Sequence, residues 1–382
     1  MKKITDFDVN NKKVILRCDF NVSIKDNKII SDERIVASLP TIKYLIHNGA
    51  KVIIMSHLGK VKNEEDAKNN SLYLVYVRLC ELLNTKVIFS SSTKGEILED
   101  KINSLKNGEI LLMENTRYED LVDKKESNCD LDLAKYWASL GDIFINDAFA
   151  MTHRRHASNY GISKFLPTGI GFLIEKELSG LNIIINPTRP FTIFMGGAKV
   201  EDKLDYIKKL LPKCDKLLLG GGLANSFLAV NYNVGLSLYN IDKKEELKKL
   251  LENNKDKIIL PLDFKVKNEN NIYVRDIDEI DDNDNILDLG PKTLSIYKDI
   301  LMASKTIFLN GTAGKYEETG FEEGTKEILA KINELNVNTV IGGGDAISSA
   351  EYFKLKNFTF ISTGGGATLE YLAEGKMKCF DE

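Results

Sequence analysis

In the first half of this 382-residue chain, cationic and hydrogen-bonding residues gather where apolar runs stop. Arg17, Asp19 and Asn21 follow KVIL, His57 and Lys60 follow KVIIM, Arg117 follows EILLM, and HRRH (153–156) comes shortly after DIFINDAFA, while Arg34 opens the stretch after SDE. The guanidinium fork matches phosphate and carboxylate, so arginines converging from several strand ends would form a pocket for a small, multiply charged anion. Three of the four histidines, His57, His153 and His156, belong to this set. No acidic or thiol group stands near them at metal-ligand spacing, which favours hydrogen bonding over ligation.

The second half carries glycines in the equivalent places: Gly196 and Gly197, Gly220 to Gly222, Gly311 and Gly314, Gly342 to Gly344, and Gly364 to Gly366. Glycine lets backbone approach a phosphate or a base closely, so several such turns on one edge point to a nucleotide. The familiar fingerprints are missing. GGGLAN, GGGDAI and GGGATL lack the last glycine of GxGxxG, and LNGTAGKY lacks the earlier glycine and the Ser/Thr of a P-loop. A dinucleotide-dependent dehydrogenase is therefore disfavoured. FMGGAKVEDK (194–203) adds Lys199 and Lys203 just past a glycine pair, between a buried run and an amphipathic one, where helix starts commonly meet anions.

Such residues need a scaffold that brings strand ends to one edge. Runs such as KVILRCDF, AKVIIMSHLG, TKVIFS, EILLMENTRY and DIFINDAFA alternate with helical patterns, and a second set follows in FTIFMGG, KLLLGGG, IILPLDF, TIFLNGTAG, TVIGGGD and FTFISTGGG. This alternation predicts an α/β fold of two doubly wound parallel-sheet (Rossmann-like) domains, with ligands at the carboxyl ends of the strands. The expected layout is a first domain over 1–168, an interdomain helix over 169–186 and a second domain over 187–368. KKEELKKLLENNKDK (243–257) reads as a solvated helix, and RDIDEIDDNDN (275–285) as an acidic surface loop without calcium-loop spacing. An anion pocket on one domain and a nucleotide pocket on the other suggest group transfer, and phosphoryl transfer needs positioning and charge neutralisation more than acid–base groups.

Composition narrows the class. A hydrophobic fraction of 43% supports real cores, and a net charge of −4 without a basic stripe argues against nucleic acid. Five scattered cysteines, Cys18, Cys80, Cys129, Cys214 and Cys379, form no CxxC pair, as expected of a reduced compartment. MKKITDFDVNNKK has no apolar core of signal length, and no stretch reaches a membrane span, so a cytoplasmic protein is expected.

Taken in order, RCDFNV, SHLGK, ENTRY, NDAFAMTHRRH, GFLIEKEL, GGAKVEDK, GGGLANSFL, DLGPKT, NGTAGKYE, GGGD and STGGGATLE resemble the phosphoglycerate kinase family across essentially the whole chain. The resemblance implies reversible phosphoryl transfer from 1,3-bisphosphoglycerate to ADP, giving 3-phosphoglycerate and ATP, with Mg²⁺ as cofactor and direct in-line transfer in a closed interdomain cleft. It implies a substrate site of Asp19, Phe20, Asn21, Arg34, His57, Leu58, Gly59, Lys60, Arg117 and Arg154. It implies a nucleotide site of Gly197, Ala198, Lys203, Gly220, Gly221, Asn310, Glu317, Gly343, Gly344, Asp345 and Ala346, with Asp345 on the metal. Catalysis would fall to Arg34, Lys199, Lys203, Gly343 and Gly365. Family members are generally monomers whose C-terminal segment, here 369–382, returns to the first domain.

Four positions depart from the family pattern. Lys60 stands where arginine is usual, Ser23 and Thr312 where proline is, and Ala346 where threonine or serine is. Lys60 keeps the charge and loses the fork, while Ala346 removes a hydroxyl near the expected nucleotide phosphates.

Overall fold

Apolar runs of three to five residues set most of the strands, each ended by a polar or glycine turn. The computed structural model describes residues 1–198 and 201–380. The first half holds β1 (Lys13–Arg17), a small hairpin of β2 (Ile24–Lys25) and β3 (Lys28–Ile29), β4 (Lys51–Met55), β5 (Val87–Ser90), β6 (Ile110–Met113), β7 (Ile143–Asn146) and β8 (Thr168–Ile170). Between them lie α1 (Glu33–His47), α2 (Glu64–Asn69), α3 (Tyr73–Leu83), α4 (Glu96–Asn103) and α5 (Leu131–Ala138), and α6 (Phe172–Ile185) follows. Six strands form one parallel sheet in the order β5-β6-β4-β1-β7-β8.

Because successive side chains leave a strand on opposite faces, each central strand feeds two cores. Val14, Leu16, Val52, Ile54, Leu112 and Ile145 pack with α1 and α3, while Ile15, Ile53, Leu111, Met113 and Phe144 pack with α4 and α5. That double covering is the doubly wound arrangement expected of strand–helix alternation. Strand order reverses at β1, which pairs with β4 on one side and β7 on the other. Such a reversal opens a crevice at the carboxyl ends of the strands.

The second half contains β9 (Phe191–Met195), α7 (Glu201–Leu210), β10 (Lys216–Leu219), α8 (Gly221–Leu228), α9 (Lys244–Asn253), β11 (Ile258–Ile259), β12 (Asp263–Asn268), β13 (Asn271–Asp276), β14 (Asn285–Leu289), α10 (Pro291–Ala303), β15 (Thr306–Asn310), α11 (Glu323–Glu334), β16 (Asn338–Gly342), α12 (Gly344–Tyr352), β17 (Phe360–Ser362) and α13 (Gly366–Glu374). Its six-stranded parallel sheet has the order β11-β10-β9-β15-β16-β17, with the reversal between β9 and β15.

A three-stranded antiparallel sheet, β13-β12-β14, was not expected. IILPLDF therefore divides between two sheets, because Pro261 cannot donate to a ladder and separates β11 from β12. The acidic stretch 275–285 is not simply a surface loop. Its ends belong to β13 and β14, and Asp284 is fully buried, bonded by Asn268 Nδ2 at 2.8 Å and Asp281 N at 2.9 Å.

The contacts divide the chain into two units, Met1–Leu178 with the segment from Lys376, and Ser179–Gly375. The passage from one to the other falls inside α6, whose first turn is capped by a distant side chain: Asp147 Oδ1 accepts from Leu173 N at 2.9 Å and Ile174 N at 3.3 Å. Two expected bounds shift. Gly169 and Ile170, expected to open the helix, instead continue from Thr168 as an edge strand on β7. Residues 369–375 stay with the second unit because α13 buries Leu369 and Leu372 and is tied to α7 through Tyr206–Glu370 and Lys209–Glu374.

Candidate functional site

In the first unit, residues leaving β1 and β4 meet at the strand-order reversal. Arg34, at the start of α1, donates to Asp19 Oδ2, and Asp19 Oδ1 accepts from Asn21 N at 3.2 Å. Asn21 Oδ1 in turn accepts from Gly59 N at 2.8 Å. Lys60 and Arg117 line one open cleft of about 790 Å³ with Lys62, Asp120, Lys124 and Ser127. Asn21, Leu58 and Gly59 line a smaller hollow of about 400 Å³. Phe20 and Leu58 face the core, and their backbone donors are occupied, Phe20 N by Ser56 Oγ and Leu58 N by Asn115 Oδ1. Arg154 is exposed, donates to His153 Nε2 at 3.0 Å, and lies outside the lining of the cleft.

A buried polar layer braces these residues, and most of it escaped sequence reading. Arg17 is fully buried and donates to His57 Nδ1 at 3.2 Å and to Ser158 Oγ at 2.9 Å. Ser158 Oγ donates to Glu126, itself fully buried, whose carboxyl is pushed up by burial. Burial, followed by the charges of Arg17 and Arg117, holds His57 well below the ordinary histidine range. The same causes push His156 down to about 3. Both imidazoles are held in the neutral form, and His57 Nδ1 accepts from Arg17.

Asn115 stitches the floor. Its Oδ1 accepts from Leu58 N at 3.2 Å and Arg117 N at 3.0 Å, while Nδ2 donates to Leu58 O at 2.7 Å and Asn70 O at 2.8 Å. Arg117 is clamped: Nη1 donates to Asp120 Oδ2 at 2.8 Å and to Ser127 Oγ, and Ser127 N donates to Asp120 Oδ1 at 2.8 Å. Its Nε is buried without a hydrogen-bond partner. The i, i+3 spacing of Arg117 and Asp120 was the one available signal for this clamp.

In the second unit the glycine turns crowd the β9–β15 reversal. A Cβ at Gly196 would lie 2.0 Å from Thr312 O, and Gly343, at φ +96°, would drive one within 2.7 Å of Asn310 Nδ2. Only glycine fits either place. The amides of the turns are already spent: Gly196 N on Asn310 O, Gly197 N on Thr312 O, Gly220 N on Met195 O and Gly221 N on Ala313 O. These turns thus offer closely approachable backbone whose own amide donors are already used. Donors come instead from the first turn of α12, at the exposed Gly344 and Asp345, whose N–H groups lack intrahelical acceptors. Lys203 Nζ sits at the same reversal, 2.6 Å from Gly196 O, and Asn310 Nδ2 holds Gly342 O at 2.8 Å.

Glu317, Gly344, Asp345 and Ala198 are exposed, and Gly365 ends in the positive-φ turn before α13. Ala346 is fully buried in the core, so a hydroxyl at this position would not project from an open surface. Lys199 lies outside the described residues. Among the described residues no cluster of three or more His, Cys, Asp or Glu could hold a metal ion.

The model of the phosphoglycerate kinase family matches residues 4–376. Phosphoglycerate kinase of Macrococcus caseolyticus is 49% identical over 98% of this chain and 96% of its own length. The chain belongs to the phosphoglycerate kinase family. The Enterococcus faecalis phosphoglycerate kinase is similar at 48% identity, with coverage of 98% and 96%. Among solved structures, phosphoglycerate kinases from Coxiella burnetii (TM-score 0.85, 32% identity) and Pyrococcus horikoshii (TM-score 0.86, 33% identity) each cover 99% of this chain and 97% of their own. Membership makes the protein a kinase of glycolysis with a carboxyl group as acceptor and ATP/ADP as co-substrate. No helix is long and apolar enough to cross a membrane.

Proposed function

We propose that the protein catalyses reversible, Mg²⁺-dependent in-line transfer of the acyl phosphate of 1,3-bisphosphoglycerate to ADP, as a cytoplasmic monomer acting on small molecules alone. The observation that carries this is the division of chemistry between two strand-order reversals. One is dressed with Arg34, His57, Lys60 and Arg117, and the other with glycine turns, Lys203 and the N-terminus of α12. Cations on the first unit suit the phosphoglycerate anion. Bare backbone and helix-start donors on the second suit a nucleotide polyphosphate.

His57 and Asn21 orient the glycerate, while Arg117 and Lys60 hold the phosphate that is not transferred. Arg34, released from Asp19, and Lys199 neutralise the phosphoryl group in flight, and Lys203 leaves Gly196 O for the nucleotide phosphates. Gly343 and Gly365 let the backbone approach the transferring group closely. Glu317 meets the ribose, and Gly220, Gly221 and Asn310 border the adenine. Asp345 is a single exposed carboxylate at a helix start, which fits a magnesium ion that arrives with phosphates and keeps most of its other ligands from them. When bound, the ion neutralises phosphate charge as the transfer proceeds. Bringing the two sites together excludes water, which would otherwise compete as acceptor.

A coupled assay of purified protein with MgADP and 1,3-bisphosphoglycerate tests the proposal. ATP should form, and omission of Mg²⁺ should abolish it. Tight ADP binding without turnover would overturn the proposal and leave a nucleotide-binding regulatory role on the same scaffold.

A further inference from the structure

The turns of the second unit are not held independently. Thr312 O accepts from Gly197 N at 3.0 Å, and Ala313 O accepts from Gly221 N at 2.8 Å, so one three-residue segment, 312–314, sets where both glycine turns lie. That segment hangs from a side chain remote from the reversal. Thr325, 2% exposed in the first turn of α11, accepts at Oγ1 from Ala313 N at 3.1 Å and from Gly314 N at 3.3 Å. Its neighbour Gly324 is fixed as well, its N–H donating to the buried carboxyl of Asp288 at 2.7 Å. Lys315 N completes the anchorage on Leu287 O at 2.8 Å.

One hydroxyl thus satisfies two main-chain donors in a segment whose carbonyls hold two turns. A buried amide left without an acceptor is costly, and loss of this hydroxyl would strand two at once. The segment would then be free to seek other partners, and Gly197 and Gly221 would move with it.

We propose that Thr325 is a positioning residue for nucleotide binding, acting through 312–314 on Gly197 and Gly221 without touching the ligand. The inference rests on the reading of those turns as the nucleotide site. Full-length Thr325→Val and Thr325→Ser are compared with the parent by calorimetric titration with ADP and by KM for each substrate. Valine keeps the shape and drops both hydrogen bonds, whereas serine keeps the hydroxyl. Thr325→Val should weaken ADP binding by about tenfold or more while KM for phosphoglycerate stays within about twofold, and Thr325→Ser should bind ADP within about threefold of the parent. Unchanged ADP affinity in Thr325→Val would overturn the proposal, as would equal losses toward both substrates, the mark of general loosening. A parent that fails to bind ADP would instead overturn the reading of the site. Should the valine variant not fold, Thr325→Ala is judged by the same criteria.

Discussion

Arg17 and His57 meet in the interior of the first unit, guanidinium nitrogen to imidazole Nδ1, at 3.2 Å. Arginine has no acceptor, so Nδ1 must be the lone-pair nitrogen and the ring proton sits on Nε2. A neutral Nε2–H donor is suited to a carboxylate or hydroxyl and does not compete with the arginines as a charge. With its pKa held well below the ordinary histidine range by burial and by the arginines, His57 should remain neutral as pH falls through that range. Heteronuclear NMR of the imidazole nitrogens checks this, and a His57 signal titrating near the usual histidine value would show the brace to be misread.

Lys60 is exposed and shares its cleft with the clamped Arg117. Charge is the same in lysine and arginine, and only the fork is lost. Lys60→Arg should therefore change phosphoglycerate affinity by no more than about tenfold. Equilibrium titration with 3-phosphoglycerate decides it, and a larger change would mean that the residue grips its ligand in two places.

Lys203 rests on Gly196 O among the glycine turns. Lys203→Ala should raise KM for nucleotide and lower kcat, while Lys199→Ala should mainly lower kcat. Steady-state kinetics with both substrates varied separates the two, and identical effects would leave no division of labour between the lysines.

Asp288 carries a pH signature. Burial pushes its carboxyl from the ordinary 3.8 up to about 7. Between about pH 4 and pH 7 the unfolded chain is then ionised at this residue while the folded one keeps its proton, so stability falls as pH rises and levels off above about pH 7. Asp288→Asn retains an acceptor for Gly324 N and has no charge to bury. Relative to the parent, the variant should gain stability across that window, by up to about 4 kcal/mol. Denaturant unfolding at several pH values measures the difference, and parallel profiles would refute the assignment.

Much of this was legible beforehand, for physical reasons that differ by residue. Strand–helix alternation exposed both sheets because buried parallel strands are continuous apolar runs. The β12–β13 hairpin stayed hidden: KVKNENNIYVRD is short, charged and turns through Glu269 at φ +51° with no glycine to announce it. Arg17 stood among the strand-end cations, yet nothing in KVILRCDF tells which face of a strand a side chain takes, and it proved to be a brace. Asp120, Ser127 and Thr325 are ordinary polar residues of loops and a helix start. Their importance lies in contacts that only the folded chain makes.

The segment from Lys376 belongs to the first unit, where Cys379 N donates to Thr152 O at 3.0 Å and Asn146 Nδ2 reaches Cys379 Sγ at 3.7 Å. Vectorial synthesis makes this more than a detail of packing. The second unit has all of its residues once Gly375 has left the ribosome, but the first, though begun earlier, still lacks the segment from Lys376 at that point. A chain interrupted before residue 379 leaves Thr152 O without this partner, so the first unit, begun first, is completed only after the second has been synthesised.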